Sequence, residues 1–250
     1  MHCITNPISI NLCANGILAL GCRPVMVEHP QEVYDVTRSA NALLLNLGSI
    51  TDARLQSVKI SARTAQADKI PFVLDAVGVG CSFLRRGLAR EILHAYKPDM
   101  VKGNYSEICA LCDDSYRTSG VDGEETLCME RVKNDAASLA KTCGCTVLAS
   151  GKKDIISDGS KTVLIENGRE ILSHVTGTGC LLGAVAAALL TSGAASLDCA
   201  VAACGILEIS AELVDSSVRC GSFPACLLDE MSLFRERREF YAEQLHQTVI

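Results

Sequence analysis

The chain has 250 residues, 48% of them hydrophobic and 21% charged, enough to bury a large core as a single domain over residues 1–250. A net charge of −6 without a long basic cluster argues against nucleic acid or an acidic membrane as partner. With no extended apolar run and no charged-then-apolar leader, neither a membrane span nor a secretion signal is expected, and the location expected is cytoplasmic.

His2-Cys3-Ile4-Thr5 reads as the end of a strand, broken by Asn6-Pro7, after which Ser9 can cap a helix from Ile10 to Leu20 that Gly21 stops. Pro24-Val25-Met26-Val27 is a second short apolar run, followed by a polar helix from Gln31 to Ala40. Ala42 to Leu47 is a continuous apolar strand, Thr51 caps a helix from Asp52 to Ala67, and Pro71 to Asp75 is another strand. The series continues with a helix from Phe83 to Tyr96, a strand from Asp99 to Lys102, helices from Tyr105 to Cys112 and Glu124 to Thr142, and a strand from Cys145 to Ala149. Ile155 to Gly159 and Lys161 to Ile165 read as a hairpin around Asp158-Gly159-Ser160, and everything after residue 176 reads as helix. Continuous apolar strands separated by helices predict a three-layer α/β fold, with a mostly parallel central sheet flanked by helices.

Fourteen cysteines without a leader are expected to stay reduced, most of them as small core residues. Cys109-Ala110-Leu111-Cys112 and Cys143-Gly144-Cys145 are isolated, and His2, His29, His94, His174 and His246 form no metal-ligand spacing, so no metalloenzyme pattern emerges.

In sheets of this kind ligands lie at the carboxyl ends of strands. The residues there are Asn6, Met26, Asn46 with Gly48, Asp75 with Gly78 and Gly80, Lys102 with Gly103 and Asn104, Glu107, and Ser150 with Gly151. Asp75 and Glu107 suit a hydrated Mg²⁺, which takes one or two carboxylates plus phosphate oxygens, and Lys102 suits a phosphate. Equally, Asp75 suits a turn, Lys102 a solvated charge, Glu107 the first turn of a helix and Met26 the core.

Thr176-Gly177-Thr178-Gly179-Cys180 precedes Leu181 to Leu190, a run of strong helix formers. Either a plain tight turn or a phosphate cradle satisfies it: free amides and the helix dipole attract an anion, and glycines let it approach the backbone. The loop matches neither the Walker nor the dinucleotide fingerprint. Cys180 would stand at the helix start, where a thiolate is favoured.

Five segments carry a resemblance: His2 to Asn11, Leu45-Asn46-Leu47-Gly48, Leu74-Asp75-Ala76-Val77-Gly78, Lys102-Gly103-Asn104-Tyr105-Ser106-Glu107, and Val175 to Cys180. Their order over nearly the whole chain resembles the hydroxyethylthiazole kinase family, and the cysteine that ends the glycine loop separates it from other ribokinase-like enzymes. The resemblance implies a homotrimer with active sites between subunits and ATP-dependent, Mg²⁺-assisted phosphorylation of 4-methyl-5-(2-hydroxyethyl)thiazole for thiamine. It implies that Asn6, Met26 and Gly177 line the thiazole site, Lys102 and Ser150 contact ATP, and Asp75 and Glu107 manage Mg²⁺. Cys180 would be the base, with Gly177 and Gly179 in the catalytic loop. Three departures stand out. The family's leading helix is absent before His2, so cover on one sheet face is expected to be missing. Ala76 replaces a proline, which is expected to loosen the turn carrying Asp75. Ser150 stands where threonine is common. The rival readings are a kinase for another small alcohol, such as a hydroxymethylpyrimidine, and a binding protein that has lost catalysis.

Overall fold

A computed structural model describes residues 1–116 and 128–250. The strands are β1 (His2–Ile4), β2 (Leu43–Asn46), β3 (Phe72–Asp75), β4 (Met100–Asn104), β5 (Thr146–Ser150), β6 (Asp154–Ser157), β7 (Thr162–Ile165) and β8 (Gln247–Val249). The α-helices are α1 (Ile10–Ala19), α2 (Val33–Arg38), α3 (Asp52–Asp68), α4 (Phe83–Ala95), α5 (Tyr105–Cys112), α6 (Met129–Cys143), α7 (Thr178–Leu190), α8 (Ser196–Leu213), α9 (Phe223–Ser232) and α10 (Arg238–Gln244). The strands form one sheet in sequence order, parallel from β1 to β5 and antiparallel from β5 to β8.

That order decides the layers. Right-handed crossovers between consecutive parallel neighbours put the helix that leads into each next strand on the same face, while α1, the first helix of the β1–β2 connection, lies on the other. Side chains of α2 to α6 accordingly share a core with Leu43, Leu45, Phe72, Leu74, Val101 and Val147. The opposite face presents the alternate residues Cys3, Leu44, Val73, Met100 and Leu148, covered by α1 and the C-terminal helices α7, α8 and α9. Both faces are buried, which is why the strands read as unbroken apolar runs.

Four sequence expectations are refined. The run at Pro24–Val27 contributes only a single parallel bridge, Val25 to His2. Ser9 stands at the N-cap of α1 without capping it; its hydroxyl turns back to Thr5 Oγ1 at 3.3 Å and Asn6 O at 3.4 Å. The helix expected from Glu124 is described from Met129, residues 124–127 lying outside the described residues. After residue 176 the chain is not all helix: β8 pairs with β7 and covers its edge. All three β8 residues are exposed, so no burial pattern marked them, and backbone pairing alone makes the strand. All fourteen cysteines are free thiols, and among the described residues no helix is long and apolar enough to cross a membrane.

His2 is fully buried in β1. Its Nε2 donates to Val27 O at 2.8 Å and its Nδ1 lies 2.9 Å from Thr37 Oγ1, which continues to Ser61 Oγ at 3.0 Å. Burial lowers its pKa from the ordinary 6.5, against the pull of the Val27 carbonyl. A depressed imidazole contributes stability above its unfolded value and loses it as pH falls below that value. The Tm advantage of wild type over His2→Leu should therefore shrink between pH 7 and pH 5 in thermal denaturation; a constant gap would mean that His2 is not held neutral.

Candidate active site

Three strand ends face α7. The parallel register sets Asn46 opposite Asp75 and Asp75 opposite Lys102, so the three side chains share a face, two residues beyond the apolar positions that pack on the same helix. Asp75 is fully buried and Lys102 is 4% exposed. The Lys102 ammonium lies 3.3 Å from Asp75 Oδ1, and Asn46 Nδ2 donates to Asp75 Oδ2 at 2.7 Å.

The small residues of α7 let it settle onto this pair. A Cβ on Gly179 would stand 3.3 Å from Lys102 Nζ, and one on Gly183 would stand 3.3 Å from Asp75 Oδ2. Gly177, the N-cap, has φ +93°, and a Cβ there would meet Ser9 Cβ at 3.2 Å. A side chain at 177 is thus strained by its backbone and crowded by α1. No side chain caps α7, which leaves its first-turn amides and positive dipole end available to an anion. Thr178 Oγ1 donates back to Leu172 O at 2.7 Å and Val175 O at 3.0 Å, holding the loop. In the first turn, Cys180 Sγ accepts from Asn6 Nδ2 at 3.2 Å and from Asn46 Nδ2 at 3.3 Å.

Burial opposes the charge on Lys102, but Asp75, Glu107 and Cys180 outweigh it and raise its pKa. Burial pushes the Asp75 carboxyl up while Lys102 and Asn46 pull it back. Glu107 is pushed to about 7, chiefly by burial, with Lys102 opposing and Asp75 reinforcing the rise. Glu107 also completes a capping box at α5: Asn104 Oδ1 accepts Glu107 N at 2.9 Å, and Glu107 Oε2 accepts Asn104 N at 2.7 Å. Its Oε1 accepts Gly78 N at 2.7 Å.

This donor set bears directly on a divalent cation. Among the described residues Asp75 Oδ1 is met by the Lys102 ammonium alone, and each Glu107 oxygen keeps a lone pair beyond its backbone amide. No cluster of three or more candidate ligands exists among the described residues. The residues fit a hydrated Mg²⁺ that arrives with phosphates, and not a protein-built cage.

Asn6, Lys102, Asp75, Glu107, Gly177, Gly179 and Cys180 are thus brought together. Met26 is partly buried against the same apolar cluster as Cys180, which leaves its core and ligand roles both open. Ser150 ends β5, its hydroxyl donating to Gly103 O at 3.3 Å. Ala76 does not leave its turn loose: its amide donates to Lys102 O at 2.8 Å, a bond that proline lacks the hydrogen to make. Sequence reasoning noted Asn46 at a strand end without giving it a role, and it missed Arg54 altogether, since an arginine in the first turn of a polar helix reads as surface. It also missed Asp154 and Glu208, buried beside the Ser150–Gly151 turn. Asp154 Oδ1 accepts Gly151 N at 3.0 Å, while Asp154 Oδ2 and Glu208 Oε2 are buried without a donor. Burial first, and then the neighbouring Asp154, raise Glu208 far above the carboxylic range, so Glu208 holds its proton.

A parallel sheet whose polar strand ends lie under an uncapped, glycine-opened helix defines a class, the ribokinase-like small-molecule kinases. The fold is that of the pyridoxal kinase from Staphylococcus aureus solved with ADP, with TM-score 0.69 at 13% identity over 100% of this chain and 98% of that one. The profile of the hydroxyethylthiazole kinase family matches residues 1–236. Hydroxyethylthiazole kinase 2 of Clostridium botulinum (strain 657 / Type Ba4) is 42% identical over 236 residues, covering 92% of this chain and 89% of that protein. The solved hydroxyethylthiazole kinase protein from Pyrococcus horikoshii OT3 superposes with TM-score 0.88 at 31% identity, over 100% of this chain and 92% of that one. The chain belongs to the hydroxyethylthiazole kinase family.

Because Glu208 holds its proton when folded and releases it when unfolded, it favours the native state only at low pH and loses that effect as pH rises above the ordinary glutamate value of 4.5. Glu208→Gln should therefore come closest to wild type near pH 4.5 and exceed it in Tm by a margin that widens from there to pH 8 in thermal denaturation. A gap that does not change with pH would show that Glu208 does not hold its proton in the folded state.

Proposed function

We propose that this chain transfers the γ-phosphoryl group of ATP to the primary hydroxyl of 4-methyl-5-(2-hydroxyethyl)thiazole, a step of thiamine synthesis or salvage. The observation that carries the reading is Cys180 Sγ in the first turn of α7, held by two amides and flanked by the Lys102–Asp75 pair. In the reaction a bond forms between the hydroxyl oxygen and the γ-phosphorus, the bond from that phosphorus to the β-bridging oxygen breaks, and the hydroxyl proton passes to Cys180 Sγ. Phosphoryl transfer depends mostly on positioning and charge stabilisation. The free amides around Gly177 and Gly179 receive the transferring phosphoryl group. Lys102 offers its ammonium there, and Asn6, Met26 and Gly177 seat the thiazole.

Asp75 and Glu107 would hold the hydrated Mg²⁺, which neutralises charge on the β- and γ-phosphates when bound. A cavity of about 430 Å³ beside Arg169, Ile171, His174, Val218 and Arg219 is suited to the base and ribose of ATP. Ser150 would contact the nucleotide from the end of β5. A homotrimer with sites between subunits accords with exposed apolar side chains near the site, Ile8 at 70% and Phe83 at 75% exposure.

Purified protein should phosphorylate hydroxyethylthiazole in the presence of ATP and Mg²⁺, with little turnover of hydroxymethylpyrimidine and little ATP hydrolysis without an acceptor. A preference for the pyrimidine would overturn the substrate assignment, and folded, ATP-binding protein without turnover would overturn the activity. Since a placed base contributes about 10² to 10⁴ in rate, Cys180→Ala should retain measurable kcat. Gly177→Val should abolish turnover through strain at φ +93°. Equal losses in the two folded variants would overturn this ranking.

A further inference from the structure

Asn46 is fully buried at the end of β2, and its carboxamide makes four contacts. The oxygen accepts Gly48 N at 2.9 Å and Asn6 Nδ2 at 3.3 Å; the nitrogen donates to Asp75 Oδ2 at 2.7 Å and Cys180 Sγ at 3.3 Å. A flipped amide would set its oxygen against the Asp75 carboxyl and its nitrogen against the Gly48 amide, so the network leaves one orientation.

Behind it stands Arg54 of α3, 1% exposed. Its Nη1 donates to Gly48 O at 2.5 Å and Ser49 O at 2.8 Å, its Nη2 donates to Asn46 O at 3.2 Å, and its Nε lies 3.1 Å from Glu28 Oε2. The clamped turn includes Ser49 at φ +52°, a left-handed conformation that a non-glycine residue keeps only when its surroundings enforce it. The same turn delivers the Gly48 amide that orients Asn46.

We propose that Asn46 is a catalytic residue that holds negative charge on Cys180 Sγ during proton transfer, and that Arg54 is the residue that positions it. This rests on Cys180 acting as the base. The other charged or titratable groups around the sulfur are Lys102 on β4, Asp75 on β3, Glu107 on α5, Arg54 itself and the Cys13 thiol on α1. Of these only Lys102 and Arg54 carry positive charge, and neither donates a hydrogen bond to the sulfur among the contacts found. Asn6 supplies the second amide, but it follows β1 in a loop, whereas Asn46 is fixed by the clamp.

The test combines kinetics with chemical labelling. Losing one hydrogen bond to a charged group should lower kcat about 10- to 100-fold in Asn46→Ala, with a smaller loss, left to its contact with Asp75, when the change is made in Cys180→Ala. Iodoacetamide labelling of Cys180, followed by mass spectrometry at fixed pH, should slow about tenfold in Asn46→Ala. Arg54→Lys keeps the charge beside Glu28 but cannot span three carbonyls. It should lower kcat and labelling in the same direction while leaving KM for the thiazole alcohol unchanged, and it carries the test should Asn46→Ala not fold. An undiminished kcat in Cys180→Ala would defeat the base assignment itself. Loss in Cys180→Ala with purely multiplicative loss in the double variant, or with labelling of Asn46→Ala or Arg54→Lys as fast as wild type, would defeat this inference alone.

Discussion

The buried ion pair between Lys102 and Asp75 is the constraint on which the site depends. Neighbouring parallel strands place the two residues in register, and both lie beneath a helix that comes close only because Gly179 and Gly183 lack side chains. Two charges removed from water are costly unless each finds partners. Asp75 finds the Asn46 amide as well as the lysine, and Lys102 gains the fields of Glu107 and Cys180. The arrangement ties β2, β3, β4, α5 and α7 to one point. A site with such demands contributes less to stability than to geometry: it fixes where a sulfur, an ammonium and the open end of a helix stand relative to one another.

The layers explain why this point lies where it does. Because β1 to β5 follow one another in the sheet, their crossovers cover one face and leave the other for a later part of the chain. Helices α7 to α9 fill that vacancy together with α1. The start of α7 thereby meets strand ends from far earlier in the chain, Asn46 standing 134 positions before Cys180.

Much of this was legible in the residues. Unbroken apolar strands with caps and glycine stops marked the α/β layers, and Asn6, Asp75, Lys102, Glu107 and Cys180 were visible as polar groups at strand ends or in the glycine loop. What escaped notice depended on contacts across the fold. Arg54 looks like any surface arginine until Asn46, Gly48 and Ser49 turn their carbonyls toward it. Asp154 and Glu208 are 54 positions apart in the sequence, and only packing of α8 against β6 brings the two buried carboxyl groups together. Ala76 shows the opposite limit: loss of a proline suggested a looser turn, yet its amide joins β3 to β4 through Lys102. Strand β8 has no apolar pattern to read because its pairing with β7 is made by backbone alone.

The claim that the buried pair serves the site more than the fold is most directly tested by replacing both charges at once, as Asp75→Asn with Lys102→Met, and measuring Tm together with kcat/KM for hydroxyethylthiazole. Neutral replacement of a buried pair is often tolerated by the fold, whereas under the role proposed for Lys102 the transferring phosphoryl group would lose charge stabilisation. The account predicts a Tm within about 5 °C of wild type and a fall in kcat/KM of at least about 10²-fold. A folded double variant with near wild-type kcat/KM, or one whose loss of activity merely follows its loss of stability, would contradict it.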